Sequence, residues 1–348
     1  MKQLAPKFYW QHMKRYKFVV FMLVFGTVGG SLINITIPLY FKKFFDLLGG
    51  EGSVDIIAEA LVSLLITIVI LESVQYVFWR LSDFFTSFFE ARMIQDLSNT
   101  CFQYIHRNSF SFFNNVFVGS LVKKVNRFTR SFEGIADRII FEILQLAIKI
   151  TAILCVLFYK NVKLGGALLI WILLFSIVNL FFIRFKMRYD LERSLTDSKL
   201  TGILADTITN NLNVKLFNGY KKECENFAET NAKLTKLRLF TWSLGNTFGA
   251  IQGLFVLILE AGLFYLGIRL WQVGKFTVGD FFLLQSYIFI VIINIWNFGR
   301  TVQRIYEELA EAEEMAEVLN TPHDIVDIPG AKKLKVSKHD YRNKPNRN

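Results

Sequence analysis

The sequence predicts an all-α membrane protein with six transmembrane helices and two long cytosolic helical stalks. The first observation is composition: 53% of the 348 residues are hydrophobic, and the mean hydropathy is +0.35. Charged residues make up 20% of the chain, whereas soluble domains contain about 25%. The second observation is that the apolar residues gather in runs long enough to cross a bilayer, which takes about 20 residues.

Six apolar runs define the predicted spans one to six. The first run is not a cleaved signal peptide, because it is too long and no small-residue cleavage site follows it. In chain order the runs cover residues 18–41, 54–79, 139–159, 164–183, 244–268 and 276–298.

The basic residues indicate the orientation of the spans. With the N-terminus in the cytosol, 33 of the 40 Lys and Arg residues fall inside, and the outer loops 42–53, 160–163 and 269–275 hold six. Lys and Arg near spans stay on the cytoplasmic side during insertion. We therefore expect both termini in the cytosol and the chain in the plasma (inner) membrane. The net charge of +11 then reflects topology rather than nucleic-acid binding.

The two inner connections are too long to be simple loops. Residues 80–138 and 184–243 span 59 and 60 residues, and structureless loops of that length are uncommon in compact proteins. Residues 80–108 show apolar side chains at helical spacing. We therefore predict that each connection forms two helices, one running away from the membrane and one returning to it. The tips between them are expected near residue 109 in the first connection and near residue 213 in the second.

The two ends of the chain differ from the six-helix domain, which we place at residues 18–320. Residues 1–17 mix aromatic and basic side chains, which favours a helix lying in the membrane interface; a disordered basic leader is the alternative. Residues 300–320 predict a helix that stops at Thr321-Pro322. Residues 321–348 are interpreted as a linker and the truncated start of a further domain.

Motifs at the predicted tips carry a family resemblance. The stretch "SFFNNVFVGSLVKKVN" (111–126) resembles the first stalk tip in the transmembrane domain of ABC exporters. Two positions depart from that pattern: Lys124 replaces the usual Arg, and Phe128 replaces an acidic residue. The matching residues are Phe112, Phe113, Gly119 and Leu121.

Two further stretches resemble the same family. Residues 206–217 resemble its second tip through Val214, Lys215 and Phe217, although Tyr220 stands where Glu often follows. The stretch "GIRLWQVGKFTVGDFFLLQSYIF" (267–289) resembles the connection between its fifth and sixth spans. Gly permits a tight outer turn, Thr can cap a helix and Asp suits its first turn. The residues that do so here are Gly274, Thr277 and Asp280.

The resemblance implies the permease part of an ATP-binding cassette exporter working by alternating access. It implies a homo- or heterodimer with another half-transporter, and a nucleotide-binding ATPase domain that uses ATP and Mg²⁺. The chain has no Gly-x-x-x-x-Gly-Lys-[Ser/Thr] phosphate loop. We therefore expect no cofactor or catalytic residue in this chain, and ATP-coupled translocase activity only once a partner or missing ATPase domain is joined. The implied coupling residues are Phe112, Phe113, Asn114, Gly119, Asn210, Asn211, Leu212, Val214, Lys215 and Phe217.

Charges inside spans are costly and point to function. Lys149 and Glu260 each lie 11 residues from the outer end of their span, about 16 Å deep at 1.5 Å per residue. We hypothesise that they pair, within one chain or across a dimer. The alternative is that each faces a wet cavity separately. The three Cys and four His residues match no metal spacing, so no metal site is expected.

Span six carries a polar and aromatic face. Its residues recur at offsets that fall on one side of a helix, which would suit a pathway for amphipathic substrates; ordinary interhelical packing is the alternative. The candidate pathway residues are Tyr287, Asn294, Trp296, Asn297 and Phe298.

Two other function classes compete with an exporter. The main rival is a non-transporting membrane scaffold, or a channel-like remnant without ATPase coupling. The third class is a secondary transporter, which typically shows inverted repeats and Gly- or Pro-broken helices near the midplane; the sequence has neither.

Overall fold

The computed structural model describes residues 4–50, 53–115 and 118–323, and no strand occurs in this part of the chain. Among these described residues, six helical segments are long and apolar enough to cross a membrane, which confirms the predicted fold class. The α-helices are α1 (Ala5–Met13), α2 (Lys17–Leu48), α3 (Val54–His106), α4 (Phe110–Asn115), α5 (Val118–Asp137), α6 (Gln145–Lys160), α7 (Val162–Thr209), α8 (Asn211–Leu216), α9 (Tyr220–Gln272), α10 (Val278–Trp296) and α11 (Phe298–Asn320).

The chain forms two compact units. The large unit comprises Tyr16–Glu90 and Gly134–Glu307, and so contains all six predicted spans and the whole of the second stalk. The small unit comprises Met1–Arg15, Ala91–Glu133 and Glu308–Asn348. Each unit is built from segments that are far apart in the sequence.

The large unit has a continuous apolar core drawn from α2, α6, α7, α9 and α10. Aromatic side chains in this core satisfy their polar atoms inside the protein. The Tyr287 hydroxyl donates to the Ile35 carbonyl at 3.0 Å, and the Trp171 indole N–H donates to the Phe255 carbonyl at 2.7 Å. Because hydrocarbon offers no hydrogen-bond partner, these bonds fix which faces of the spans can meet.

Small residues bring α2 and α3 into close contact. A Cβ added to Gly26 would lie 2.9 Å from both the Phe78 carbonyl oxygen and the Ser82 nitrogen. A Cβ added to Gly30, four residues on, would lie 3.0 Å from the ring of Trp79 on α3. Gly26 and Gly30 therefore form the G-x-x-x-G contact that is common between spans. The Thr27 and Ser82 hydroxyls share a buried hydrogen bond of 2.8 Å at the same place.

The predicted N-terminal helix exists as α1, but its aromatic side chains do not share one environment. Tyr9 is buried in the small unit, where its hydroxyl donates to the Phe128 carbonyl at 2.7 Å. Its ring lies 5.0 Å from the ring of Phe128 and 5.2 Å from that of Phe132. Trp10, in contrast, is 56% exposed. The position of α1 in the membrane interface stays a prediction.

The start of α1 is held by the last helix. The backbone N–H groups of Leu4 and Ala5 donate to the Glu313 carboxylate at 2.6 and 3.0 Å. These N–H groups have no partner within the helix, and a carboxylate also suits the positive end of the helix dipole. Cys101, well past the apolar part of α3, is fully buried in this unit, and burial raises the pKa of its thiol to about 12.

We expect Gly26→Ala to destabilise the protein by about 1–3 kcal/mol, because the methyl group must push α2 and α3 apart. Gly253→Ala is the matched control, since nothing lies within 4 Å of a Cβ at that helical position; it should be neutral or slightly stabilising. The thermal unfolding midpoints of the two variants in detergent provide the measurement. Equal midpoints would contradict the close contact at Gly26.

Candidate functional site

The second stalk consists of two long helices joined by the short helix α8. Helix α7 has 48 residues, so it is about 72 Å long at 1.5 Å per residue. The hydrocarbon core of a bilayer is about 30 Å thick, so α7 extends well beyond it. The interruption falls at Asn211–Leu216, which confirms the predicted tip position near residue 213.

A defined hydrogen-bonded turn ends α8. Asn218 has a φ of 48°, in the left-handed region where Asn is among the few residues tolerated. Its backbone N–H donates to the Lys215 carbonyl at 3.3 Å, and that of Gly219 donates to the Val214 carbonyl at 2.8 Å. This pair of bonds is the Schellman motif, which satisfies the free carbonyls at a helix end. The tip therefore has a fixed shape.

The second tip exposes an apolar patch in polar surroundings. The predicted coupling residues Asn210, Asn211 and Lys215 are exposed, and Val214 is half-buried. Exposed apolar patches rimmed by polar residues mark interaction sites. The patch, called the tip patch below, consists of Ile208 (66% exposed), Leu212 (70%), Leu216 (70%) and Phe217 (82%).

The first tip is the short helix α4 in the small unit, which follows a turn at the predicted position. Phe112 and Phe113 are half-buried, and their rings meet edge to face at 5.5 Å. Asn114 and Gly119 are exposed. The coupling role of both tips stays a prediction.

Spans three and six each depart from regular α-helix in the large unit. Residues Arg138–Leu144 form a π-helix at the start of span three. Span six is interrupted at Asn297, which lies between α10 and α11, and Thr301 restarts the ladder by donating its N–H to the Asn297 carbonyl at 3.0 Å. Such irregularities are frequent at functional sites.

A polar cavity of about 400 Å³ lies where the two irregular segments meet. Beside it, the Lys149 ammonium donates to the side-chain oxygens of Asn294 (3.3 Å) and Gln145 (3.2 Å). The Thr301 hydroxyl is hydrogen-bonded to the Glu142 carboxylate. The cavity is lined by Phe141, Glu142, Ile293, Asn294, Asn297, Arg300, Thr301 and Arg304.

The structure places the five candidate pathway residues in three environments. Asn294 and Asn297 line the polar cavity. Trp296 lines a neighbouring cavity of about 410 Å³ that also contains Arg300. Tyr287 is fully buried, and Phe298 packs against the core. Their role in a pathway stays a prediction.

Six of the eight lining residues were not among the candidate pathway residues, and four of these six are polar: Glu142, Arg300, Thr301 and Arg304. Arg300, Thr301 and Arg304 follow Asn297 at offsets of three, four and seven residues, which places them on the same helical side. That spacing could have identified these three residues as lining the same site, although they lie just beyond the last apolar residue of span six. Glu142 lies at the start of span three, so the spacing along span six could not identify it.

The intramembrane charges do not pair within one chain. No ion pair joins Lys149 to Glu260 among the described residues; Lys149 binds Asn294 and Gln145 instead. Glu260 is half-buried and lines a shallow depression with Leu257. Pairing across two chains stays a prediction. In the same described part of the chain, no group of three His, Cys, Asp or Glu side chains is placed to hold a metal ion.

Comparison with known proteins gives a consistent family. The family model described as ABC transporter transmembrane region matches residues 20–295. The solved structure of a bacterial Atm1-family ABC exporter with ATP bound aligns with a TM-score of 0.67 at 19% identity, covering 93% of this chain and 57% of that one. At this identity the likeness shows the fold alone.

Curated relatives are similar over most of this chain. The mitochondrial iron-sulfur clusters transporter ATM1 of Candida albicans is 20% identical over 347 residues, covering 97% of this chain and 45% of the relative. ABC transporter B family member 6 of Dictyostelium discoideum is 23% identical, covering 96% and 48%. The ATM1-type heavy metal exporter of Novosphingobium aromaticivorans is 22% identical, covering 70% and 40%. The chain thus spans about half the length of these relatives.

Cysteine accessibility tests the placement of the span-six residues. In a background lacking the exposed Cys155 and Cys224, Asn297→Cys should react with a charged maleimide about tenfold faster than Tyr287→Cys, because exposure controls thiol reactivity. The buried Cys101 provides an unreactive internal reference. Equal rates at positions 287 and 297 would contradict the cavity.

Proposed function

Because the chain belongs to the ABC transporter transmembrane region family, we propose that it forms the membrane-spanning part of an ATP-driven exporter. Two such chains, or this chain and a related half-transporter, enclose the substrate pathway. ATP and Mg²⁺ act at a nucleotide-binding ATPase domain. The observation that carries this proposal is the tip patch, which leaves four large apolar side chains in water at the end of a long stalk.

The stalk has the properties of a mechanical coupler. Helices α7 and α9 pack along each other, and the Schellman turn at Asn218 and Gly219 fixes the tip between them. An apolar groove on the ATPase domain would cover the tip patch and move with it. Because long helices in contact transmit displacement as rigid bodies, closure of the ATPase domains on ATP would then change the separation of the spans.

The location follows the same reasoning. The chain is a multi-pass membrane protein, and its basic residues favour cytosolic termini and cytosolic stalks. We place it in the plasma (inner) membrane, although relatives such as ATM1 of Candida albicans carry the name mitochondrial. In this orientation the polar cavity opens at the cytosolic half of spans three and six.

The charges around the polar cavity favour an anionic amphipathic substrate. Arg300 and Arg304 line it, and Arg300 is hydrogen-bonded to the neutral side-chain oxygen of Asn297. Lys149 adds a third positive charge, whereas Glu142 is the single acidic lining residue. A bare metal cation would be repelled by this set, even though one relative is named a heavy metal exporter. Phe141 and Ile293 supply an apolar portion of the lining, which suits the organic part of such an anion.

The tip patch and the half-buried Val214 beside it are tested by charge substitution. We expect the double variant Val214→Glu, Phe217→Glu to insert normally but to lose co-purification with the ATPase domain and ATP-driven transport, because it places carboxylates in an apolar contact. Leu195→Glu is the control, since Leu195 is a similarly exposed leucine (63%) on α7 outside the tip. ATP hydrolysis by the complex purified from native membranes gives the second readout. Unchanged transport in the double variant would contradict the coupling role, and the absence of any co-purifying ATPase would favour a scaffold.

The cavity charges are tested by ligand binding. Arg300→Gln and Arg304→Gln should each weaken binding of an anionic dansyl amino acid by about 10–100-fold, since a hydrogen bond to a charged group contributes about 1.5–3 kcal/mol. The uncharged methyl ester of the same probe should bind all variants equally. Lys163→Gln, an exposed substitution in the outer loop, is the control, and fluorescence titration in detergent is the measurement. Equal losses for both probes would indicate a packing defect rather than charge recognition.

A further inference from the structure

Four charged residues at the outer ends of spans one, three and six form a cluster that substrate binding and coupling do not use. We call Lys42, Asp46, Lys160 and Asp280 the outer clamp. The Asp280 carboxylate accepts from Lys160 at 2.6 Å and lies 3.4 Å from the Lys42 ammonium. Lys42 also meets Asp46 at 2.5 Å. The side chain of Asp280 is only 4% exposed, so these partners surround it in place of water.

The first turn of α10 is shaped to hold this cluster. Thr277 caps the helix, and its backbone N–H and hydroxyl both donate to Asp280 at 3.0 Å. The N–H of Gly279 donates to the Asp46 carboxylate on α2 at 2.8 Å. A Cβ on Gly279 would lie 2.1 Å from the Lys42 carbonyl oxygen and 2.6 Å from Asp46. Glycine is therefore required for α2 to approach α10 this closely.

The outer clamp joins segments that the chain connects only over long distances. Lys42 and Asp46 lie at the end of α2, Lys160 at the end of α6, and Asp280 at the start of α10. The cluster contains two positive and two negative charges, so it is neutral when assembled. At the outer surface, each ion would be hydrated by water if the helices separated. Contacts of this kind can be broken and re-formed, unlike the apolar core below them.

The core directly below the clamp is closed. Leu283 and Leu284 on α10 are 2% and 1% exposed, and Ile35 on α2 is 3% exposed. The polar cavity, by contrast, lies at the other end of span six. Export by alternating access requires the closed outer ends to separate at some stage. Leu283 lies one turn after Gly279 and one turn before Tyr287, and both of these residues contact α2. Loss of the contact between α2 and α10 would therefore uncover Leu283.

We propose that the outer clamp is a gate latch, which holds the outer ends of spans one, three and six together and releases α2 from α10 when substrate leaves. This inference rests on the proposed exporter function and on the orientation given above. Gly279 and Asp46 act as positioning residues, because they set the approach of the two helices. Asp280, on span six, forms ion pairs with Lys42 on span one and Lys160 on span three.

The test measures outward opening without requiring transport. Leu283→Cys is introduced into the full chain lacking Cys155 and Cys224, and whole cells are treated with a membrane-impermeant maleimide. We expect Lys42→Met, Asp46→Asn and Gly279→Ala each to raise the labelling rate of position 283 by about tenfold, which is the shift that a loss of about 1.4 kcal/mol gives. Lys43→Met is the charge control, because Lys43 is exposed and outside the clamp. Gly262→Ala is the glycine control, since a Cβ there meets nothing within 4 Å.

Each outcome decides the proposal. Unchanged labelling of position 283 in folded Lys42→Met and Asp46→Asn variants would overturn the latch. Folding is checked in detergent by Cys101, which stays unreactive while it is buried; if Gly279→Ala fails this check, the two charge variants decide. Lys43→Cys should be labelled from outside in intact cells. If position 43 is labelled only after the membrane is opened, the orientation in the proposed function is wrong, and the latch fails with it. If position 43 is labelled in intact cells but the labelling of position 283 is unchanged, the latch alone fails.

Discussion

The structure depends on one constraint: between the spans, every polar group must find its partner inside the protein, because hydrocarbon offers none. The closed part of the large unit meets this constraint with single, well-placed bonds such as those of Tyr287 and Trp171. Each bond joins a side chain of one helix to the backbone of another. It therefore selects one rotation of each helix about its axis, and apolar side chains fill the remaining space.

Spans three and six each contain a segment that is not regular α-helix, and there the same constraint leads to a polar cavity rather than to a closed core. A π-helix and a helix interruption replace the regular α-helical hydrogen-bond ladder at these two places. Such backbone is tolerated at membrane depth only where it lines a cavity or is buried in protein. The polar cavity follows from this requirement. Its Asn, Arg and Thr side chains supply partners that lipid would not, which is why the irregular segments and the cavity occur together.

The sequence predicted the architecture well, because both of its signals are strong. Runs of apolar residues identify spans, and inner connections of nearly 60 residues identify the stalks and the positions of their tips. The details that the sequence does not reveal depend on contacts within one chain between residues distant in sequence, or on local backbone geometry. Lys149 finds amide partners rather than Glu260, and the π-helix has no local signature. Tyr9 is buried by Phe128, 119 residues away. The phenylalanine that departs from the family pattern at position 128 thus forms part of this buried contact.

The contact between Leu4 and Glu313 spans 309 residues, and this separation has a consequence for biosynthesis. Helix α1 is made before any of the six spans, whereas the carboxylate that caps it follows all of them in the sequence. The small unit therefore cannot complete its fold until all six spans have been synthesised and inserted. During that interval α1 must remain without its final partners, and contacts of such long range form slowly because the intervening chain must be closed first. The small unit can therefore reach its final fold only after the whole membrane domain has been made.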